Sequence, residues 1–259
     1  MEFVHVSITD GIAEARLKRG KVNALSEPVV EEITDCLRSL AADLDTRAVI
    51  LTGDGAFFSF GFDIPEFLGY SRESFAKFLQ RFTALYSYLF TYPKPIVAAL
   101  NGHAIAGGCM LALSCDYRIM VSGKAKISLN EISFGSSVFA GSVEMLRFLV
   151  GGKNAQAILY DGTMYSAETA VQLGMIDKVS STERLMKDAR EMAQRMTEKD
   201  AAAFRSIKNL LRAPVAEDMA RNEERSVQEF VSIWYSESTR AKSPRHNHPF
   251  LVRTDWISL

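Results

Sequence analysis

Residues 95–109, Pro95-Ile96-Val97-Ala98-Ala99-Leu100-Asn101-Gly102-His103-Ala104-Ile105-Ala106-Gly107-Gly108-Cys109, change character twice. Ile96 to Leu100 is an uninterrupted apolar run of strand length, and Gly107-Gly108 opens a short apolar stretch with helical potential. A strand that is apolar at every position needs cover on both faces, as in a parallel sheet between helical layers. Ala48-Val49-Ile50-Leu51-Thr52, which ends in glycine, and Tyr117 to Val121 have the same character. The recurring βαβ order predicts an α/β protein.

Outward from this centre, Phe3–Ile8 and Ile12–Leu17 flank Thr9-Asp10-Gly11 and read as an opening β-hairpin. Ser26 is placed to cap a helix with Pro28 in its first turn, after which Val29, Val30, Ile33, Leu37 and Leu40 recur at helical spacing. Phe75, Phe78, Leu79, Phe82, Leu85, Tyr86 and Leu89 form one stripe after Ser71, and Pro93-Lys94-Pro95 stops that helix. An aromatic stripe can suggest a cofactor box, but this spacing is the ordinary mark of a helix face packed on a sheet. After about Ser181 the pattern is helical throughout: Glu183–Thr197, Asp200–Leu211 and Val215–Glu237. The division expected is a core over residues 1–180 and a helical region over 181–259, without a linker between them.

The chain has 259 residues, 47% of them hydrophobic, with 30 basic against 31 acidic side chains. That balance points to no nucleic acid and no membrane surface as partner. Cys36, Cys109 and Cys115 are odd in number and form no CxxC pair, which argues against a disulfide framework and a structural zinc site. With no leader-like N-terminus and no apolar run of about 20 residues, a cytoplasmic protein is expected.

Three segments can carry chemistry. Phe58-Ser59-Phe60-Gly61-Phe62-Asp63-Ile64 and the stretch from Asn101 to Cys109 place glycine where a strand meets a helix. There unpaired N–H groups and the helix dipole attract negative charge, although such glycines equally serve tight turns. Neither segment is a P-loop or a dinucleotide fingerprint. In Ile127-Ser128-Leu129-Asn130-Glu131-Ile132-Ser133-Phe134-Gly135, apolar neighbours would desolvate Glu131 and raise its pKa, suiting it to be a general base. Taken alone, a capping or salt-bridged glutamate is the commoner reading of such a residue.

In this order the three segments resemble the enoyl-CoA hydratase/isomerase, or crotonase, superfamily. Phe58–Ile64 is similar to the family pattern F-[SAC]-x-G-x-D-[IL]. The run from Pro95 is similar to P-x-[IV]-A-x-[VI]-x-G-x-[AC]-x-G-G-G, with Cys115-Asp116-Tyr117-Arg118-Ile119 following. Ala167–Val179 resembles A-x-E-A-x-x-x-G-L-V-D-x-V. The resemblance implies a crotonase-like spiral of ββα turns with a C-terminal α-helical trimerisation region, in a homotrimer or dimer of trimers. It implies an oxyanion hole formed by the N–H groups of Phe62 and Gly107 and aimed at an acyl-thioester oxygen. Gly61 and Gly108 would let the backbone approach. Ser59, Asp63, Ile64, Ala24, Lys21 and Phe139 are expected to contact an acyl-CoA, with Lys18, Arg19 or Lys21 reaching its phosphates. Coenzyme A is part of the substrate, and no separate cofactor or metal is implied. Phe62, Phe67, Phe134, Phe139 and the helix over Ser71–Tyr92 are expected to wall the acyl pocket.

Hydratases of the family carry two glutamates that hold a water between them. Met110 stands at the position matching the first, and Glu131 matches the second within a Leu-Asn-Glu-Ile very like that of enoyl-CoA isomerases. Ser136–Gly141 replaces the hydratase-like P-G-A-G-G-T. One base beside an oxyanion hole is what a 1,3-proton shift needs, so the resemblance favours a Δ3,Δ2-enoyl-CoA isomerase. The alternatives are a hydratase, hydrolase or other enolate chemistry using Glu131 alone, or a non-catalytic acyl-CoA-binding protein. His103 reads as a wall residue, and Cys109 as a small buried hydrophobe. His246 and His248 lack a third metal ligand nearby, and Ser136 and Ser137 lack a nucleophile elbow. The apolar Phe250-Leu251-Val252 near the end is expected to dock.

Overall fold

The computed structural model describes residues 1–237 and residue 239. Strands β1 (Val4–Thr9) and β2 (Ile12–Leu17) pair antiparallel across Asp10 and Gly11, whose φ values are 53° and 75°. Positive φ at both turn positions matches the twist of the strands, which suits Asp-Gly to a two-residue hairpin. Helix α1 (Glu27–Ala42) then buries Val29, Val30, Ile33, Leu37 and Leu40. Contrary to expectation, Ser26 occupies its N-cap position without a side-chain capping bond. Pro28 is the second helical residue, so one of the two N–H groups that an N-cap oxygen usually accepts does not exist.

Three turns of one plan follow. Strands β3 (Ala48–Gly53), β5 (Ile96–Leu100) and β7 (Tyr117–Val121) enter a long sheet, while β4 (Phe57–Ser59), β6 (His103–Ile105) and β8 (Ile127–Ser128) form a short one. Each turn closes with helix: α2 (Ile64–Phe67) and α3 (Arg72–Phe90), then α4 (Gly107–Ser114), then the 3-10 turn Glu131–Phe134 and α5 (Ala140–Asp161), which breaks at Gly151. Helix α6 (Ala167–Leu173), β9 (Lys178–Ser180), α7 (Leu185–Thr197) and α8 (Ala201–Trp234) complete the described chain. The long sheet has the order β1-β2-β3-β5-β7-β9 and is parallel except for the hairpin. The short sheet, β4-β6-β8, is parallel throughout. This is the spiral of ββα turns, each contributing one strand to each sheet.

Every residue of β3 and β5 is buried, and α7 lies against β3, β5 and β7. The aromatic stripe of α3 is a core face as expected, but it packs on α1, α4 and α8 rather than on the sheet. The two helices expected after Asp200 are one, because α8 runs unbroken through Pro214. A proline removes the hydrogen bond to the carbonyl four residues earlier. That residue is Leu210, which is 77% exposed, so water can take the bond's place. His246, His248 and Phe250–Val252 lie outside the described residues.

Candidate active site

All three segments singled out above leave the carboxyl ends of the parallel strands in the short sheet. Phe62 follows β4, Gly107 follows β6 and Glu131 follows β8. Leu25 grips the first segment on both sides of Phe62: its N–H donates to Gly61 O at 2.8 Å, and its carbonyl accepts from Asp63 N at 3.1 Å. That register turns the Phe62 N–H away from Leu25, and it has no acceptor among the described residues. Gly107 is the first residue of α4, where an N–H has no intrahelical acceptor. Ala106, just before it, holds φ 49° and ψ −119°, a costly conformation for a residue with a Cβ. It is pinned from both sides, donating to Ser128 O at 2.8 Å and accepting from Met110 N at 3.0 Å. The strained peptide thereby fixes the direction of the Gly107 N–H.

The two loops touch. A Cβ on Gly61, whose φ is +91°, would lie 2.9 Å from Ile105 O and 3.1 Å from Gly107 N, so only glycine permits this approach. Phe62, Gly107 and Glu131 line one open pocket. Glu131 is 3% exposed and its Oε2 has no hydrogen-bond partner. Burial pushes its pKa up to about 8, opposed by its own backbone N–H. The pocket therefore brings a desolvated carboxyl group together with two N–H groups that lack acceptors.

A model of the enoyl-CoA hydratase/isomerase family matches residues 7–247. The chain belongs to the enoyl-CoA hydratase/isomerase family. It is 31% identical to the mitochondrial enoyl-CoA delta isomerase 1 of Mus musculus over 225 residues, 86% of this chain and 78% of that protein. It is equally 31% identical to a probable enoyl-CoA hydratase of Bacillus subtilis over 214 residues, 82% of each. The crystal structure of human mitochondrial delta3-delta2-enoyl-CoA isomerase superposes with a TM-score of 0.86 at 31% identity, covering 93% of this chain and 95% of that one.

Within this enoyl-CoA hydratase/isomerase fold the expected contact residues separate into two groups. Ile64 and Phe134 line the pocket with Phe62, Gly107 and Glu131. Ser59, expected at the substrate, is instead fully buried: its Oγ donates to Asn23 O at 2.7 Å and accepts from Gly61 N at 3.2 Å, tying the loop before α1 to the Phe62 segment. Asp63 is likewise structural, capping α2 through Glu66 N and pairing with Arg19 at 2.6 Å. Arg19, bound also to Ala24 O, is thus committed within the protein rather than free for a phosphate. Ala24 is buried, and Lys21 is exposed in the turn before it. Gly108 lets α4 approach β4 rather than a ligand, since a Cβ there would stand 2.3 Å from Ser59 O. Phe139 and Phe67 lie one layer behind the wall, Phe139 at 6.4 Å from Phe62 and Phe67 at 4.2 Å from Phe78. The His103 ring lies 4.9 Å from that of Phe57, tilted by 33°, outside the pocket lining.

Several lining residues escape a reading of the motifs. Phe60, Ala106 and Asn130 sit inside the quoted segments without a residue-type signal of their own, whereas Phe230 and Trp234 come from α8, about a hundred positions beyond Glu131 in the chain. Asn130 is buried and its Oδ1 has no partner. Met110 is buried in α4 and is not part of the wall, so Glu131 is the carboxylate that the pocket presents. No group of three or more His, Cys, Asp or Glu among the described residues could hold a metal ion. No helix among them is long and apolar enough to cross a membrane.

Proposed function

We propose that this chain is a Δ3,Δ2-enoyl-CoA isomerase with Glu131 as its acid and base. The observation that carries the reading is the pairing of one buried carboxyl group with two N–H groups lacking acceptors, in a pocket whose lining holds no second carboxylate among the described residues. The Glu131 carboxylate takes a proton from C2 of a 3-enoyl thioester. Negative charge moves to the thioester oxygen, where the N–H groups of Phe62 and Gly107 bind it, each donor typically worth about a hundredfold or more in rate. Glu131 then returns the proton at C4, which leaves the double bond between C2 and C3. A group that must accept and then release a proton works best with a pKa near the operating pH, and a value of about 8 meets that condition. Coenzyme A enters only as part of the substrate.

A cytoplasmic assembly of three copies, or of two such trimers, belongs to the same reading. Ile207, Leu210 and Leu211 are exposed on α8 and offer apolar surface for subunit contact; sedimentation equilibrium measures the copy number. The reaction is tested by offering the purified protein 3-enoyl-CoA and 2-trans-enoyl-CoA separately, with Glu131→Gln as control. Conversion of the first to 2-enoyl-CoA without hydration, abolished in the variant, is the expected result. Addition of water to the second would replace the isomerase reading with a hydratase one, and CoA binding without any turnover would leave a binding protein.

A further inference from the structure

Four hydrogen bonds seat the Phe62 segment on the turn before α1. Phe60 N donates to Val22 O at 2.9 Å, Ser59 Oγ to Asn23 O at 2.7 Å and Leu25 N to Gly61 O at 2.8 Å, while Leu25 O accepts from Asp63 N at 3.1 Å. The third of these fixes a peptide plane. In a trans peptide the N–H points opposite to the C=O of the same unit, so a Gly61 carbonyl held by Leu25 directs the Phe62 N–H away from the turn. Ser59 adds a second hold, because its Oγ also accepts the Gly61 N–H at 3.2 Å. Residues 22–25 are thus the template on which one of the two N–H groups of the pocket is aimed.

The template depends on Asn23. This residue is 1% exposed and holds φ at 48°, in the left-handed region that asparagine tolerates better than most residues with a Cβ. Its side chain spans two turns. Nδ2 donates to Asp54 O at 3.0 Å and to Phe57 O at 2.8 Å, where β3 leads into β4, and Oδ1 accepts from Arg19 N at 2.9 Å. Two carbonyls on one side and an N–H on the other call for an amide: an aspartate would lack both donors, and a glycine all three bonds. Asn23 itself is not part of the pocket lining. We infer that Asn23 is a positioning residue, setting the direction of the Phe62 N–H through the turn it holds. The inference rests on the enolate reading of the site and adds a residue outside the pocket on which stabilisation of the enolate depends. The N–H matters most where negative charge develops, so its misalignment is felt in kcat rather than in KM.

The test uses the full-length chain with acetoacetyl-CoA, a 3-oxoacyl thioester that ionises at C2 to an enolate with its own near-ultraviolet absorbance. The ratio of enolate to neutral form, taken per bound ligand at one buffered pH, reads the oxyanion site without turnover, and loss of folded protein does not move it. The wild type should raise this ratio above that in free solution. Three variants should each lower it about tenfold or more relative to wild type, part of the value of one donor. They are Asn23→Gly, which keeps the left-handed φ and removes the amide; Asn23→Asp, which loses both donors; and Ser59→Ala, which leaves the side-chain bonds of Asn23 in place and cuts its link to Gly61. With 3-enoyl-CoA, kcat should fall by about the same factor while KM changes much less. Melting curves identify a variant that fails to fold, and Ser59→Ala, the mildest of the three, then decides. Unchanged ratios in the folded variants, or a rise in KM at constant kcat, overturn the inference and leave the enolate reading intact. Failure of the wild type to bind the thioester, or to raise its enolate fraction, overturns that reading and this inference with it.

Discussion

The Glu223 carboxylate accepts the backbone N–H of Gly141 at 2.7 Å, so the start of α5 is capped by a residue of α8. The residue at the N-cap of α5 itself is Phe139, whose ring cannot accept a hydrogen bond. The other Glu223 oxygen accepts from the buried Tyr86 hydroxyl, which burial and the Glu223 charge hold in its protonated form. One carboxylate therefore satisfies a helix terminus and a phenol from two other helices. Glu223→Ala is expected to destabilise the fold by about 2–4 kcal/mol in urea denaturation, because it leaves two donors unpaired. Tyr86→Phe should cost less, and the double variant less than the sum, since the two changes break one shared interaction. Additive losses would mean that the two groups act separately.

Glu131 makes stability depend on pH in an unusual direction. Its folded pKa of about 8 exceeds the ordinary carboxyl value of 4.5 because burial disfavours the charge. The folded state then holds the proton more tightly than the unfolded chain. The corresponding stabilisation is complete below about pH 4.5 and is lost as pH rises through about 8. Full loss corresponds to roughly 4–5 kcal/mol. Glu131→Gln cannot ionise, so its melting temperature should gain on the wild type between pH 6 and pH 9. A constant difference across that range would show that the carboxyl group is not desolvated. In kinetics, kcat/KM for 3-enoyl-CoA should rise with pH to an inflection near 8 as the carboxylate form appears.

Gly108 tests whether backbone placement controls the proposed oxyanion site. A Cβ there would meet Ser59 O at 2.3 Å and Ser59 Cβ at 2.8 Å, both on a buried strand. Gly108→Ala must push α4 away from β4, and the first peptide of α4 carries the Gly107 N–H. Overpacking of this kind costs about 1–3 kcal/mol. A displacement of up to about 1 Å should lower kcat by as much as about a hundredfold, with KM changed much less. Gly152→Ala is the control. It has no neighbouring atom within 4 Å of its Cβ, so turnover should be unchanged.

The framework of the protein was legible where one residue type meets one physical demand. The wholly apolar runs Ala48–Thr52 and Ile96–Leu100 had to be covered strands, and Asp10-Gly11 had to turn. The desolvation of Glu131 was legible because its apolar neighbours are adjacent in sequence, although a capping or salt-bridged glutamate was the commoner reading of the residue alone. The internal bonds of Ser59 and Asp63 were not legible, because a motif reports that a residue matters to the loop, not whether its side chain faces ligand or backbone. Phe230 and Trp234 left no local sign at all. On a long amphipathic helix two aromatic residues a turn apart read as core, and only tertiary packing brings them to a pocket. Pro214 lies between the two helices expected after Asp200, yet α8 runs through it, since the rule that proline ends a helix assumes that the freed carbonyl has nowhere to turn.

Arg212 clamps the far end of the helix that carries Gly107. From α8 its guanidinium donates to Phe90 O at 2.8 Å, Ser114 O at 2.9 Å and Cys115 O at 3.0 Å, and pairs with Asp116 at 3.3 Å. Ser114 and Cys115 close α4, so cationic donors meet carbonyls that a helix terminus leaves unpaired. Asp116 is held in turn by Lys208 at 2.8 Å and accepts the N–H of Ile96 at 2.9 Å, which joins the clamp to β5. A lysine cannot reproduce a planar fork that serves three carbonyls and a carboxylate at once. Arg212→Lys should therefore cost about 2–3 kcal/mol, and Arg212→Ala, which strands Asp116 and the carbonyls, about 3–5 kcal/mol. Urea denaturation measures both. If Arg212 acts only by holding α4, kcat should fall in step with the disturbance of Gly107 while the inflection of the pH profile stays near 8. A shifted inflection would instead mean that the Arg212 charge reaches Glu131 directly.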